Sequence, residues 1–423
     1  MIKYFMEKYK GISEIALIKI LVLEYGVSTN FNFSFYPKIE QYKTKFKAVH
    51  PVSRNYTVFD IETSMAIIPE EIILSHGEKK SIVKLRYNQD SPIALHVDEN
   101  FIIDLIDSKS KESLGCEVNL VRKPNSITGY ILDGNHHIEF DVFDYVGLVG
   151  LDRISIIPFD GCWNWAKGTP CKFCDLHPKR IDAKMTYRPS LNTLCNFDMD
   201  VTKWWNNYKD TYFAILNESL KELFTKSKIG PHLHILLMAG NLPDSQLTWD
   251  IFIDIAKIIG QYTNLSDTDS YLNIAPHVQI ADLNLIKDMG VKQVQYNLEL
   301  FGKKQFQETC PGKLEYNIFI GKLKEAVSVM GRGNVRSNFV FGLQPINEIM
   351  PGLVQLAEMG IVPDYSVFQP KKGTPYANRK SPSLEEIMEF SIKLSEIYKK
   401  YDYSPIYCSL SSRSSIMNEL MMQ

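Results

Sequence analysis

The sequence predicts an α/β protein in two parts, a smaller β-rich region over residues 1–148 and an alternating β/α region over residues 149–423. Three observations carry this. The first part holds short apolar runs punctuated by Asn, Asp, Ser and Gly clusters. The second holds six apolar strands, each followed by a helix or a helix-length segment. Met-Gly recurs three times in the second part, where a helix hands over to a strand.

In the first part, Ile15 to Leu23 is a mildly apolar stretch interrupted by charge at Glu14 and Lys19, with no small-residue cleavage site after it. It reads as a short amphipathic surface helix rather than a signal peptide. Behind it come Ile82-Val83-Lys84-Leu85-Arg86-Tyr87 and Phe101-Ile102-Ile103-Asp104-Leu105-Ile106, separated by Asn88-Gln89-Asp90-Ser91. Asp133-Gly134-Asn135 marks a further turn, and His136-His137 reads as part of it rather than as a metal site. Such punctuated alternation predicts strands. No chemistry is evident in this region.

The six strands of the second part are Arg153–Pro158, His234–Ala239, Tyr271–Pro276, Lys292–Leu298, Val335–Phe341 and Asp364–Gln369. The last three follow Met289-Gly290, Met330-Gly331 and Met359-Gly360, glycine being the expected terminator of a helix. Ser383 and Glu386 form a capping box ahead of an apolar face made by Leu384, Ile387, Met388, Leu394, Tyr398 and Tyr401. Right-handed β/α crossovers give a parallel sheet. Six units suit an open, incomplete barrel and a doubly wound sheet equally, and either places chemistry at the carboxyl ends of the strands.

Composition narrows the functional classes. The chain is 45% hydrophobic and 23% charged, with a net charge of −2, so no general field attracts nucleic acid or an anionic membrane. No basic patch interleaved with aromatics marks a nucleic-acid binder, and no apolar run has the length of a membrane span. The seven cysteines are odd in number and scattered apart from one tight cluster. That usage points to a reducing compartment, by default the cytoplasm, and to a metal site rather than a disulfide framework.

The cluster follows the first strand of the series: Gly161-Cys162-Trp163-Asn164-Trp165-Ala166-Lys167-Gly168-Thr169-Pro170-Cys171-Lys172-Phe173-Cys174. Cys171 and Cys174 are spaced to reach one metal centre, and Cys162 supplies a third thiolate from the same loop. Three thiolates suit an iron–sulfur cluster with one iron left open. A structural zinc site completed by His177 is the rival reading, and free thiols the plain one. Cys310 has no Cys or His at ligand spacing and reads as structural; Cys195 and Cys408 read as small hydrophobes.

The loop resembles the cluster-binding loop of radical S-adenosylmethionine enzymes, whose usual pattern is Cys-x3-Cys-x-aromatic-Cys after the first strand. Phe173 stands at the aromatic position, next to the adenine in that family, while eight residues rather than three separate Cys162 from Cys171. Leu237-Met238-Ala239-Gly240-Asn241 looks like the family's Gly-Gly-Glu stretch, with Gly240 matching and Asn241 in place of the acidic residue. Asn297-Leu298-Glu299, Cys310-Pro311-Gly312-Lys313, the strand around Arg336 and Asn338, Gln369-Pro370 and Gly373-Thr374-Pro375 add weaker matches in order along the chain.

The resemblance implies a partial (β/α)6 barrel behind the smaller β-rich N-terminal domain. It implies a [4Fe–4S] cluster on Cys162, Cys171 and Cys174, with S-adenosylmethionine held near Phe173, Gly240, Asn241, Asn297, Glu299, Arg336 and Asn338. It further implies reductive cleavage of that cofactor to a 5′-deoxyadenosyl radical, and an external electron donor such as flavodoxin or ferredoxin. A small-molecule biosynthetic substrate is expected, a peptide substrate is the alternative within the class, and a zinc-stabilised binding protein is the alternative outside it. No nucleic-acid or membrane partner is expected.

Overall fold

The structure is a computed structural model that describes residues 1–46, 67–134, 136–177, 187–196, 198–226, 233–371 and 373–422. Among these, two compact units are distinguished. One comprises Met1–Pro124, Tyr365–Gln369 and Lys380–Gln423; the other comprises Asn125–Asp364 and Pro370–Arg379. The span 149–423 therefore contributes to both, and the hairpin Thr128–Asp133/His136–Asp141 belongs with the second. His136 and His137 open the second strand of that hairpin instead of lying in a turn, and Asn135 falls outside the described residues.

In the first unit Glu71–His76 is the middle strand of three, paired antiparallel with Lys79–Lys84 and Glu117–Leu120, and Ile93–Val97 pairs with Ile103–Asp107. The helix Glu14–Tyr25 lies among them, and it corrects the amphipathic surface helix expected there. Every residue from Ile15 to Val22 is buried, Lys19 included. The Lys19 ammonium donates to Ser411 Oγ at 2.9 Å and to Glu419 at 2.7 Å, so its charge is met inside the protein and the helix needs no wet face. Glu419 comes from the short helix Met417–Met421. The helix Leu384–Tyr401 begins with the expected capping box of Ser383 and Glu386.

The second unit is built on a seven-stranded sheet: β1 (Val146–Val149), β2 (Arg153–Ile156), β3 (His234–Met238), β4 (Asp269–Asn273), β5 (Gln293–Gln295), β6 (Val335–Phe341) and β7 (Ile361–Val367, whose last three residues belong to the first unit). β1 pairs antiparallel with β2, and β2 to β6 pair parallel in register. The strand order is strictly sequential. Right-handed crossovers in one direction put every helix on the same face, which is single winding, as in a partial barrel, and not the reversal of a doubly wound sheet. Its longest helices are α1 (Lys209–Lys226), α2 (Ser245–Ile259), α3 (Ile280–Asp288), α4 (Lys303–Thr309), α5 (Tyr316–Met330) and α6 (Ile346–Glu358).

Local chemistry fixes their ends. Asp244 accepts from the N–H groups of Gln246 and Leu247 at the start of α2, and Glu315 does the same for α5. Gly290, Gly331 and Gly360 all have positive φ, of 94°, 89° and 92°. This is the conformation that glycine reaches without cost, and it turns each helix into the next strand. Pro363 lies in β7, an edge strand, where a missing N–H is tolerated. Among the described residues no helix is long and apolar enough to cross a membrane.

Candidate functional site

The cysteine loop leaves β2 just beyond Ile156 and is tied down at three points. Phe159 is buried, with Trp204 edge-on at 6.3 Å. Asp160 exchanges backbone hydrogen bonds with Pro189 and Leu191, and its carboxylate pairs with Arg188 at 2.9 Å. Next, Gly161 and Cys162 reach the lip of β3. The Trp163 N–H donates to the Asn241 carbonyl at 2.7 Å, and the Asn241 N–H points at the Cys162 thiol at 3.4 Å. Gly240 is required by this approach: a Cβ there would sit 2.8 Å from Cys162 Cβ and 2.9 Å from its Cα.

The eight residues between Cys162 and Cys171 form a compact spacer. Cys162 caps a single helical turn, Trp163–Ala166, and Gly168 then reverses the chain with φ of 77°. The Thr169 N–H returns to the Asn164 carbonyl at 2.8 Å. Asn164 is buried beneath Gly312, where a Cβ would lie 2.5 Å from the Thr169 carbonyl and 2.6 Å from Asn164 Cγ. Cys171 to Cys174 is a tight turn closed by the Cys174 N–H on the Cys171 carbonyl at 3.0 Å. Between them Lys172 donates its N–H to Thr309 at 2.9 Å and accepts from the Tyr376 N–H at 3.0 Å. Phe173 is half-buried in this turn.

The three thiols are electrostatic neighbours. Burial pushes Cys174 up to about 12, with the charges of Cys171 and Cys162 adding to the effect and Lys371 opposing it. Cys162 is raised by burial, against the Asn241 N–H. Cys171 is raised well above the usual thiol value, first by the neighbouring Cys310 thiol and then by burial, against the Lys313 ammonium. A metal must therefore displace protons from all three. Among the described residues no three His, Cys, Asp or Glu side chains form a group that could hold a metal ion. An all-thiol donor set of three on one loop suits an iron–sulfur cluster with one iron left open. His177 lies against the Trp165 ring at 5.1 Å, and the buried Asp175 pairs with Lys371 at 2.8 Å.

Across the strand ends runs a polar chain. Asn297 Nδ2 donates to Asn273 Oδ1 at 3.1 Å, and the Asn338 N–H donates to Asn297 Oδ1 at 3.2 Å. Glu299 is buried in the left-handed region, with φ of 69°, and its N–H donates to the Asn338 carbonyl at 2.9 Å. Lys313 pairs with Glu299 at 2.8 Å and reaches the Asn297 carbonyl at 2.5 Å. The structure thus brings Asn297, Glu299 and Asn338 together. Arg336 stands apart, held in a two-pronged pair with Asp364 at 2.6 and 2.7 Å.

Three participants escape the sequence argument. Asn273 is one more polar residue at a strand end. Lys313 is signalled only by the Cys310-Pro311-Gly312-Lys313 quartet. Cys310, expected to be structural, is fully buried and adds to the rise at Cys171, a coupling that no local spacing announces. A separate polar hollow lined by Ser126, Thr128, Glu139, Asp141, Asp144 and Tyr145 contains none of the predicted residues.

No family model matches the chain. A curated relative, the bacteriochlorophyllide c C-7(1)-hydroxylase of Chlorobaculum limnaeum, is 27% identical over 135 residues, 30% of this chain. The match spans 33% of that relative, about a third of its length. Among solved structures, methylornithine synthase (PylB) aligns over 62% of this chain and 66% of its own at 12% identity and a TM-score of 0.37. The hydrogenase maturase HydG from Carboxydothermus hydrogenoformans aligns over 62% and 54% at 14% identity and 0.36. Coproporphyrinogen III oxidase (HemN) from Escherichia coli, described as a radical SAM enzyme, aligns over 41% and 42% at 14% identity and 0.32. In the cysteine loop, its aromatic residue and the sequential parallel strands behind it, the chain resembles the radical S-adenosylmethionine enzymes.

Proposed function

We propose that the chain is a radical S-adenosylmethionine enzyme, built on a six-unit partial barrel, in which Cys162, Cys171 and Cys174 hold one [4Fe–4S] cluster. One observation carries the reading: the three-thiol loop springs from the end of the first parallel strand and is closed at its base by the Gly240–Asn241 lip of the second. When bound, the cluster and S-adenosylmethionine supply one-electron cleavage of the sulfonium S–C5′ bond and the 5′-deoxyadenosyl radical that abstracts hydrogen from a substrate.

The chain's own residues position these groups. Gly240 admits the loop, and the backbone of Asn241 fixes Cys162 in place. Asn297, Glu299 and Asn338 offer polar atoms from three neighbouring positions of one hydrogen-bonded chain, which suits them to hold the cofactor. Lys313 pairs with the Glu299 carboxylate and orients it. Phe173 offers an aromatic surface beside Cys174. Arg336, through Asp364, stiffens β6 and β7 beneath them. The electron is assigned to an external donor such as flavodoxin or ferredoxin.

The name of the part-length relative supports hydroxylation at a C–H bond of a small molecule as the reaction to assay first, ahead of a peptide substrate. The test is anaerobic reconstitution with iron and sulfide, followed by chromatography for 5′-deoxyadenosine after S-adenosylmethionine and dithionite are added. About four irons per chain, lost in C162A, C171A or C174A, together with 5′-deoxyadenosine, is the expected result. One tightly held zinc and no cleavage would sink the reading.

A further inference from the structure

The eight residues between Cys162 and Cys171 carry two unmet donors. Their backbone is closed upon itself: the turn Trp163–Ala166 is followed by the reversal at Gly168 and by the Thr169 N–H on the Asn164 carbonyl at 2.8 Å. Two side-chain atoms of this spacer, Trp165 Nε1 and Thr169 Oγ1, are shut away from solvent, and among the described residues neither has a hydrogen-bond partner, thiol sulfurs included. An indole N–H can only donate, and a hydroxyl also has a proton to place. Leaving such groups buried and unmet costs free energy that an apolar side chain of the same shape would not cost. Two of them between Trp165 and Thr169, in a segment whose backbone is already satisfied, mark a segment shaped for an acceptor it does not itself contain.

Both residues are fixed in the loop. The Trp165 N–H donates to the Cys162 carbonyl at 3.0 Å, and its ring lies 5.1 Å from that of His177, so the indole reaches from the turn of the first thiol to the stretch after Cys174. Thr169 stands two residues before Cys171, with its carbonyl facing Gly312, where a Cβ would lie 2.5 Å away. The two donors thus belong to the stretch bracketed by the first two thiols.

We propose that the Trp165 indole N–H and the Thr169 hydroxyl donate hydrogen bonds to the sulfur atoms of the cluster that the loop holds, which makes the long spacer part of the binding site. This rests on Cys162, Cys171 and Cys174 being cluster ligands. The acceptor is selected by chemistry: cluster sulfide and ligand thiolate are anionic, and a hydrogen bond to an ionised acceptor is stronger than one between neutral groups. Donors around the ligands of a metal in turn govern how tightly it is held. The two groups are therefore a burden to the iron-free chain and a support to the loaded one, so their removal has opposite signs in the two states.

The experiment compares the full-length wild type with T169V, T169S and W165F, each reconstituted anaerobically with iron and sulfide. Valine keeps the shape of threonine without the hydroxyl, serine keeps the hydroxyl, and phenylalanine keeps a ring without the N–H. Iron release to a fixed concentration of chelator, deuterium couplings to the reduced cluster by electron–nuclear double resonance after exchange into D2O, and melting of the iron-free chain are measured. T169V and W165F are expected to hold iron about ten- to a hundredfold less tightly and each to lose deuterium coupling, while T169S matches wild type in both. Iron-free T169V is expected to melt at or above the wild-type temperature, because it has lost an unmet group. Wild-type coupling and iron retention in T169V or in W165F would overturn the proposal for that donor. A T169V chain destabilised as much without iron as with it would mark the hydroxyl as structural and overturn its assignment. Should W165F fail to fold, the threonine variants decide: loss in T169V restored in T169S supports the proposal, and equal retention in both overturns it. A wild-type chain holding zinc, or no cluster at all, would overturn the underlying reading, an outcome seen before any variant is compared.

Discussion

Gly240→Ala should open the cysteine loop at its base. The added methyl would lie 2.8 Å from Cys162 Cβ and 2.9 Å from its Cα, and nearer still to the Gly161 carbonyl oxygen. Carbon atoms prefer about 3.5 Å or more, so the overlap with Cys162 is at least ~0.6 Å. None of these neighbours is the far end of a flexible side chain, and relief requires the loop to slide away from β3. Overpacking of this kind costs about 1–3 kcal/mol. Sliding also weakens the Trp163–Asn241 and Asn241–Cys162 hydrogen bonds, at about 1 kcal/mol each. With partial relaxation a net loss of about 3 kcal/mol is expected, which lowers Tm by roughly 6–12 °C for a unit of this size. Iron retention should fall together with it, because the first thiol is displaced from the other two. Calorimetry and iron analysis of the reconstituted variant measure both. A Gly240→Ala protein with wild-type Tm and full iron would show that the lip does not hold the loop.

Other expectations follow from the same structure. Gly321, inside α5, has open space where its Cβ would go, so Gly321→Ala should stabilise by about 0.5–1 kcal/mol, read as a higher urea midpoint. Glu419→Ala strands the fully buried Lys19 ammonium and should cost about 3–5 kcal/mol, while Lys19→Met combined with Glu419→Leu should recover most of it; equal losses in both proteins would mean that the charge pair is not what matters. Burial lifts the Glu24 carboxyl from its usual 4.5 to about 7, against the pull of Arg86 and Gln369. The folded state therefore binds the proton more tightly than the unfolded one. Stability should fall as pH rises from about 4.5 to 7 and level off above. Glu24→Gln should flatten that part of the denaturation-midpoint profile, and an unchanged slope would remove Glu24 as its cause.

The strands were legible where burial makes them so. Parallel strands covered on both faces read as apolar runs, and the three Met-Gly junctions mark where each of the last three begins. Their ends were less legible. β5 keeps only Gln293–Gln295 of the expected Lys292–Leu298; beyond it regular pairing lapses, and the chain meets β6 again only at an isolated bridge between Glu299, at positive φ, and Phe339. β1 escaped altogether, since Val-Gly-Leu-Val carries no period of its own. The cysteine loop was legible because its three thiols are close in sequence. The placement of Cys310 was not, because it lies at the end of α4, far from the loop in sequence. Lys19 looked like an interruption for the same reason: its counter-charge lies 400 residues away. Arg336 shares its strand with Asn338, but Asp364 on β7 claims its guanidinium, a fact of sheet order and not of spacing.

The composition of the first unit has a consequence for biosynthesis. Its residues 1–124 leave the ribosome before the second unit, but Lys380–Gln423, which belongs to the same unit, leaves after it. Until then Lys19 is a cation in an apolar helix with no carboxylate to meet, and Glu71 lacks Arg413. The barrel-like unit encoded between them has its whole sheet available earlier and can collapse while the first unit waits. A nascent chain stalled before Lys380 should accordingly protect the parallel strands from protease while its N-terminal helix Glu14–Tyr25 remains open to cleavage.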